Sequence, residues 1–281
     1  MVKIREIRRK AAEIVAKTEN DSPLADVDFI LGGLGFDKND ILLGEKTLDK
    51  KQLKKFENGI KRLEKGEPVQ YVVGRCEFMS LMFDVNPETL IPRSDTEILV
   101  ETVVDFCKEK EDIKILEVGS GSGCIAISLA HMLPNAKVVS VDVSQKALDT
   151  AKKNAKKNGV LEKTTFIKCD ILKGFPDLGY LPDVVVSNPP YIPSQDILTL
   201  DKKVKAFEPL TALDGGEDGL KFYRYISQNA KLSPGGILAF EVGINQADDV
   251  AGFMESRFCN IQKIKDLSGI DRVVVGEISR G

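Results

Sequence analysis

Histidine and paired cysteines are scarce in this chain of 281 residues. His131 is the one histidine, and none of the five cysteines (Cys76, Cys107, Cys124, Cys169 and Cys259) forms a Cys-x-x-Cys pair. A zinc site needs a denser cluster of these two residue types, so no metal is expected. The cysteines read instead as reduced, mostly buried thiols of a cytoplasmic protein. At the N-terminus, MVKIREIRRKAAEIVAK alternates charge with apolar residues and lacks the apolar run of roughly 7–15 residues that a secretory signal needs. Nowhere does an apolar run reach the roughly 18 residues of a membrane span, so no membrane partner is expected. Positive charge is not in excess either: Lys and Arg number 40 against 43 Asp and Glu, a formal net charge of −3. Non-specific binding to duplex nucleic acid draws on lysine and arginine at phosphates, so a stable nucleic-acid partner is not expected. Internal repeats and low-complexity segments are also absent.

What is present describes a globular chain, 42% apolar and 30% charged. Its length suits one large or two unequal domains at roughly 100–200 residues each. Residues 1–70 carry helical periodicity only. Ile4, Ile7, Ala11, Ile14 and Val15 share one face, as do Leu53, Phe56, Ile60 and Leu63 opposite a solvated lysine face. Ser22 and Pro23 predict a capped helix start. Residues 71–92, beginning YVVGRCEFMSLMFDV, predict a β-hairpin linker. Residues 93–281 form the third region. It opens on a helix near Asp95, for which Ser94 and Glu97 have capping-box spacing. Strands and helices then alternate. IKILEV, AKVVSVD, TTFIKC, DVVVSN and GGILAFEV read as strands, and IQKIKDL and DRVVVGEIS as a closing antiparallel pair. Seven strands in such alternation predict an α/β fold, a mostly parallel sheet with helices on both faces. His131 falls near the end of the helix after the first strand, where a surface or capping role is expected.

The turn LEVGSGSGCIA joins the first of these strands to its helix. Gly119, Gly121 and Gly123 allow backbone conformations closed to other residues and a close approach by a ligand. The next strand ends on Asp142, suited to accept hydrogen bonds from ribose hydroxyls, and the third is followed by Asp170 and Ile171, which could border an adenine. Gly121, Gly123 and Ala126 also satisfy a loose dinucleotide fingerprint, so a nicotinamide dehydrogenase competes on these residues. The G-x-G-x-G form preceded by Glu117 favours S-adenosylmethionine, which has a ribose for Asp142 but no pyrophosphate.

DVVVSNPPY, residues 183–191, decides between them. Asn188 ends a strand at the same sheet edge and offers an acceptor oxygen and an NH2 donor. Pro189 and Pro190 stiffen the turn, and the Pro189 carbonyl stays free. Two acceptors at fixed spacing suit an incoming NH2, and Tyr191 supplies a flat face. Held by both hydrogens, a weakly nucleophilic amide or aromatic amine has its nitrogen aimed at an electrophile. Asn188 is the candidate catalytic residue. It is too weak a base to keep the proton released.

The chain resembles the HemK/PrmC glutamine methyltransferases over nearly its whole length, through EPVQYVVGRCEF, VNPETLIPRSDTEILVE, EVGSGSGCIA, VDVS, SNPPYIP, FEPLTALDGGEDGL, LSPGGILAFEVG and GIDRVVV. Glycine turns and NPPY are shared with many amino-methyltransferases, including those acting on adenine in DNA. NPETLIPRSDTE and EPLTALDGGEDG are far more specific. The resemblance implies a Rossmann-like class I methyltransferase domain behind a small all-α domain that contacts the substrate protein. It implies methylation by S-adenosylmethionine of the glutamine amide in the Gly-Gly-Gln motif of peptide-chain release factors. It further implies that Gly119, Ser120, Gly121, Ser122, Gly123, Asp142, Ile171 and Asn188 line the cofactor, and that Asn188, Pro189, Pro190 and Tyr191 hold the substrate glutamine. The long stretch from Ile192 to Asp214 would border the site. Two departures are mild: the family more often has Pro-Glu after Arg93, and an isoleucine is commoner within Glu241 to Gly243. An adenine methyltransferase on nucleic acid is the alternative. It would need a basic groove and room for a flipped base.

Overall fold

The computed structural model describes residues 2–18 and 20–279, apart from the side chains of residues 202 and 203. The chain divides into two compact units, Met1–Arg75 with Asp201–Phe207, and Cys76–Leu200 with Glu208–Gly281.

In the first unit, β1 (Val2–Lys3) leads into α1 (Ile4–Val15), followed by α2 (Pro23–Gly33), α3 (Lys38–Leu43), β2 (Thr47–Leu48), α4 (Lys50–Glu64) and α5 (Val69–Val73). Ile4, Ala11 and Val15 of α1 meet Val27, Ile30, Leu31, Phe56, Ile60 and Leu63 in one core. β1 and β2 pair antiparallel, although no strand was expected here. Two-residue strands are too short to print an alternation. Pro23 does open α2, but Ser22 makes no side-chain cap bond. The capping boxes of this unit are Asp37 with Asp40 and Asp49 with Gln52, each satisfying a free N–H at a helix start. Tyr71–Val73, read as the start of the hairpin, lie in α5, which Gly74 ends at φ 80°.

The hairpin is β3 (Arg75–Phe78) and β4 (Leu81–Asp84). Its turn residues, Met79 and Ser80, both have positive φ, 48° and 60°. Hairpin twist demands this conformation, and glycine or asparagine usually supplies it. Phe78 and Phe83 are buried in the core of the second unit, so the hairpin is part of that unit's packing as well as a connection.

Next come α6 (Asp95–Cys107), β5 (Lys114–Val118), α7 (Cys124–Met132), β6 (Lys137–Asp142), α8 (Gln145–Lys157), β7 (Thr164–Lys168), β8 (Val184–Ser187) and α9 (Lys202–Phe207). The chain ends with α10 (Lys221–Asn229), β9 (Ile237–Glu241), α11 (Ala247–Met254), β10 (Phe258–Lys265) and β11 (Asp271–Ile278). The seven-stranded sheet has the order β10-β11-β9-β8-β5-β6-β7. β7, β6, β5, β8 and β9 are mutually parallel, and β11 inserts antiparallel between β9 and β10. Alternate strand residues feed opposite faces. Ile115, Val138, Val184 and Ala239 pack with Leu99 and Val103 of α6, Ile125 and Leu129 of α7 and Ala155 of α8. Leu116, Val139, Val185 and Phe240 pack with Tyr223 and Ile226 of α10 and Val250 and Met254 of α11. Both faces are buried, which is why these strands read as unbroken apolar runs.

α6 starts at Asp95 as expected, but Ser94 makes no side-chain cap bond. Glu97 is used elsewhere: its carboxylate accepts from the Met79 N–H at 2.6 Å, tying down the hairpin turn. In α8, Ser144 does cap, accepting from the Ala147 N–H, and Gly159 follows at φ 74°. α11 went unread in the sequence. Residues 192–214 are closed at their ends by Ile192 N–H to Leu213 O and contain α9 and two 3-10 turns.

Candidate active site

β5 lies inside the sheet, with β6 on one side and the central β8 on the other. The chain runs outward through β6 and β7, then crosses back to β8, so the strand order reverses between β5 and β8. In open α/β sheets the crevice beyond the strands' carboxyl ends at such a reversal takes the ligand. The glycine turn after β5 and Asn188 after β8 therefore meet at one place. A cavity of about 410 Å³ opens there, within the roughly 300–1,000 Å³ usual for cofactor sites.

Of the residues singled out in the sequence, Gly119, Ser120, Gly121, Ser122, Asp142, Ile171, Asn188, Pro189 and Pro190 line this cavity. Gly123 and Tyr191 do not. Gly123 precedes α7 at φ 82°, and a Cβ there would come within 2.9 Å of Ala151 Cβ and Ile127 Cδ1. Its glycine is required by the packing of α7 on α8. Tyr191 packs its ring along Gly243, where a Cβ would meet Tyr191 Cδ2 at 3.0 Å, and its carbonyl accepts from Gln246 Nε2 at 2.9 Å. Burial pushes the Tyr191 hydroxyl pKa up to about 12. The exposed His131 lies in the last turn of α7, outside the cavity lining.

Asp142 spends its carboxylate partly on the turn. Oδ2 accepts from Gly121 N–H at 2.9 Å and Oδ1 from Ser144 N–H at 2.8 Å. Burial raises its pKa against these bonds. Glu117, the acid before the glycines, is fully buried yet borders the cavity. Ser140 Oγ donates to Glu117 Oε2, and Ser120 Oγ lies 2.5 Å from Ser140 Oγ. Among the described residues, nothing hydrogen-bonds to Glu117 Oε1. Burial pushes this carboxyl up to about 8.

The Asn188 end is built differently. Its Nδ2 donates to Thr96 Oγ1 at 3.2 Å, and Thr96 comes from α6. Behind both lies Glu241, the last residue of β9, 3% exposed. Burial pushes Glu241 up to about 7, with the Asp95 charge adding to the rise; Thr96 opposes it most, then the Arg272 charge, then Asn188. Arg93, Thr96 and the segment Pro209–Ala212 also line the cavity, and Arg93 pairs with the buried Glu208. Thr96 and Glu241 were missed as site residues. The available signal was an acid closing the apolar run ILAFE, just as an amide closes VVVSN.

A model of the PrmC N-terminal domain matches residues 6–74, and a methyltransferase domain model matches residues 109–248. The release factor glutamine methyltransferase of Geobacter sulfurreducens is 41% identical over 87% of this chain and 86% of its own length. This chain belongs to the release factor glutamine methyltransferase family. The relative of that name from Clostridium acetobutylicum is 35% identical over 98% of both chains, and the one from Moorella thermoacetica 43% over 78% of this chain and 77% of its own. The fold also matches a methyltransferase from Pyrococcus furiosus, with a TM-score of 0.51, 17% identity, and coverage of 71% of this chain and 90% of that one. It matches the hMettl16 catalytic domain in complex with MAT2A 3′UTR hairpin 6, with a TM-score of 0.57, 14% identity, and coverage of 85% and 88%.

The cofactor of this methyltransferase is S-adenosylmethionine, and the cavity residues fit it. The unpartnered oxygen of Glu117 could hold an ammonium group, the Asp142 carboxylate could accept from ribose hydroxyls, and the apolar Ile171 and Leu172 could flank a purine ring. Among the described residues, no helix is long and apolar enough to cross a membrane.

Proposed function

We propose that this enzyme methylates the side-chain amide nitrogen of the glutamine in the Gly-Gly-Gln motif of peptide-chain release factors. The observation that carries the reading is the place of Asn188, whose amide directly follows β8 on the wall of the cavity that the glycine turn also lines. The names and full-length similarity of the relatives support the choice of a protein glutamine over other NH2 acceptors.

In this reading Glu117, Gly119, Ser120, Gly121, Ser122, Asp142 and Ile171 hold the cofactor. S-adenosylmethionine supplies a methyl already activated on a sulfonium and leaves as S-adenosylhomocysteine. Asn188 Oδ1 and the Pro189 carbonyl accept the two hydrogens of the glutamine NH2, which turns the nitrogen lone pair toward that methyl. The nitrogen gains the methyl and loses one proton, which passes to water. The two acceptors also stabilise the positive charge that grows on nitrogen. Pro190 stiffens the turn, and Tyr191 holds its far side against Gly243. The PrmC-type helical unit contacts the release factor away from the glutamine. A release-factor substrate implies work in the cytoplasm, with no stable nucleic-acid or membrane partner.

Mass spectrometry of a purified release factor, incubated with this protein and labelled cofactor, tests the reading. One added methyl on the Gly-Gly-Gln glutamine is expected. Label on adenine in nucleic acid, and none on the release factor, would replace it with the adenine alternative.

A further inference from the structure

An asparagine amide can face either way, and the two orientations are opposites chemically: one presents an acceptor, the other two donors. Only the first can hold the NH2 of an incoming amide. Something must therefore fix Asn188, and the prolines after it cannot, because they constrain backbone and not χ2. The groups behind Asn188 can. Its Nδ2 donates to Thr96 Oγ1 at 3.2 Å. The register of β8 with β9 sets Ser187 beside Phe240, so Asn188 and Glu241 follow at neighbouring strand ends, and both Thr96 and Asn188 favour the charged form of the Glu241 carboxyl. An ionised carboxylate only accepts, so the Asn188 atom turned toward it must be nitrogen. Thr96 Oγ1 accepts from Asn188, which leaves its own hydroxyl proton available to the carboxylate.

We infer that Glu241, together with Thr96, is a positioning residue: the pair takes both Nδ2 hydrogens of Asn188 behind the turn and leaves Oδ1 facing the acceptor. Three features show that the arrangement is built for this. Glu241 is 3% exposed in a strand whose other residues are apolar. Its main chain is anchored by the Tyr223 hydroxyl, which donates to the Glu241 carbonyl at 2.9 Å. Its Oε2 has no hydrogen-bond partner among the described residues, a cost that a buried acid serving packing alone would not carry. Protonating Glu241 turns it into a donor as well and releases its hold on Nδ2. The charged and titratable groups that act on Glu241 are Asp95 of α6 and Arg272 of β11; Tyr191 and Tyr223 sense its charge in turn. Asp95 and Arg272 are paired with each other at 3.0 Å.

This inference rests on the function proposed above, and the experiment separates the two. Wild type, Glu241→Gln, Thr96→Val and Thr96→Ser are each assayed with a purified release factor and S-adenosylmethionine, and cofactor affinity is measured by calorimetry. In Glu241→Gln, kcat is expected to fall about 100-fold, the loss typical of a misplaced reacting group. Cofactor Kd should stay within about threefold, since the groups assigned to the cofactor do not include the Asn188 oxygen. Wild-type kcat should fall as the pH drops through about 7, and Glu241→Gln should lack that limb. Thr96→Ser, which keeps the hydroxyl, should retain activity that Thr96→Val loses. No methyl transfer by the wild type overturns the functional reading and this inference with it. Undiminished kcat in Glu241→Gln, a parallel loss of cofactor affinity, or equal activity of the two Thr96 variants overturns the inference alone.

Discussion

Two acids mark the two ends of the cavity, and they are used in different ways. Glu117 lies on β5, next to the glycine turn, and itself borders the cavity with one oxygen unpartnered. Glu241 lies on β9, on the far side of β8, and reaches the cavity only through Asn188 and Thr96. Burial lifts both, Glu117 to about 8 and Glu241 to about 7. At the glycine end the main chain does most of the shaping: Gly121 N–H and Ser144 N–H fix Asp142, and the turn needs no aromatic or basic side chain. At the Asn188 end side chains from α6, β8 and β9 converge on one amide. The cofactor end is thus a local product of one strand–turn–helix. The acceptor end is a product of the whole sheet.

That contrast can be broken most sharply at Asn188. In Asn188→Ala, kcat should fall by more than about 100-fold while cofactor affinity moves less than about threefold. Full turnover on a release factor would end its assigned role. The mirror-image change is Asp142→Ala, for which calorimetry should show cofactor binding weaker by about 10- to 100-fold, the worth of hydrogen bonds to a charged group. Unchanged affinity would contradict the ribose assignment.

A third variant separates shape from contact within the glycine turn. Gly123→Ala places a Cβ within 2.9 Å of Ala151 and Ile127 at a φ of 82°. It should lower the unfolding free energy by about 1–3 kcal/mol in urea titrations, the usual cost of overpacking.

The two acids also predict how stability varies with pH. Both folded pKa values lie above the ordinary 4.5, so each carboxyl binds its proton more tightly in the folded protein. The stability each contributes is complete below about 4.5 and is lost as pH rises through its folded value. The cofactor-free protein should lose stability from about pH 4.5 to 8, by at most about 1.4 kcal/mol per pH unit for each group. Between about 7 and 8 Glu117 carries the larger part of the loss. Glu117→Gln should flatten that upper part in denaturation curves taken across pH, and Glu241→Gln should leave it in place.

The smallest effect concerns two serines that look alike in sequence. Ser144→Ala removes a formed cap and should cost about 1 kcal/mol, whereas Ser94→Ala removes none and should cost less than about 0.5 kcal/mol.

Those serines show where sequence reading stops. Ser94 and Glu97 have capping-box spacing, but Glu97 is committed to the Met79 N–H, in a hairpin turn 18 residues earlier in the chain. Spacing reports only what is available locally, and a tertiary partner can take it. Tyr191 follows the same rule. Its place after Pro190 suggested a wall for the substrate, and only the fold shows that Gln246 takes its carbonyl and Gly243 meets one edge of its ring. α11 was overlooked because its helical pattern is short and follows directly on a strand. β1 and β2 were overlooked because two residues carry no period.

The sequence by itself determined the helical start, the parallel sheet with its antiparallel end, the glycine turn, Asp142, and the amide turn at Asn188. These are readable because each depends on residues within a few positions of one another: strand periodicity, positive φ at glycine, fixed φ at proline. Only the tertiary structure decided that Glu241 comes beside Asn188, that Thr96 bonds to Asn188, and that Gly123 packs against α8 outside the cavity lining. Strands β8 and β9 are separated by some 50 residues of chain, and their carboxyl ends become neighbours only when the sheet forms. An acid at the end of an apolar strand is visible in the sequence, but the amide that it orients is not.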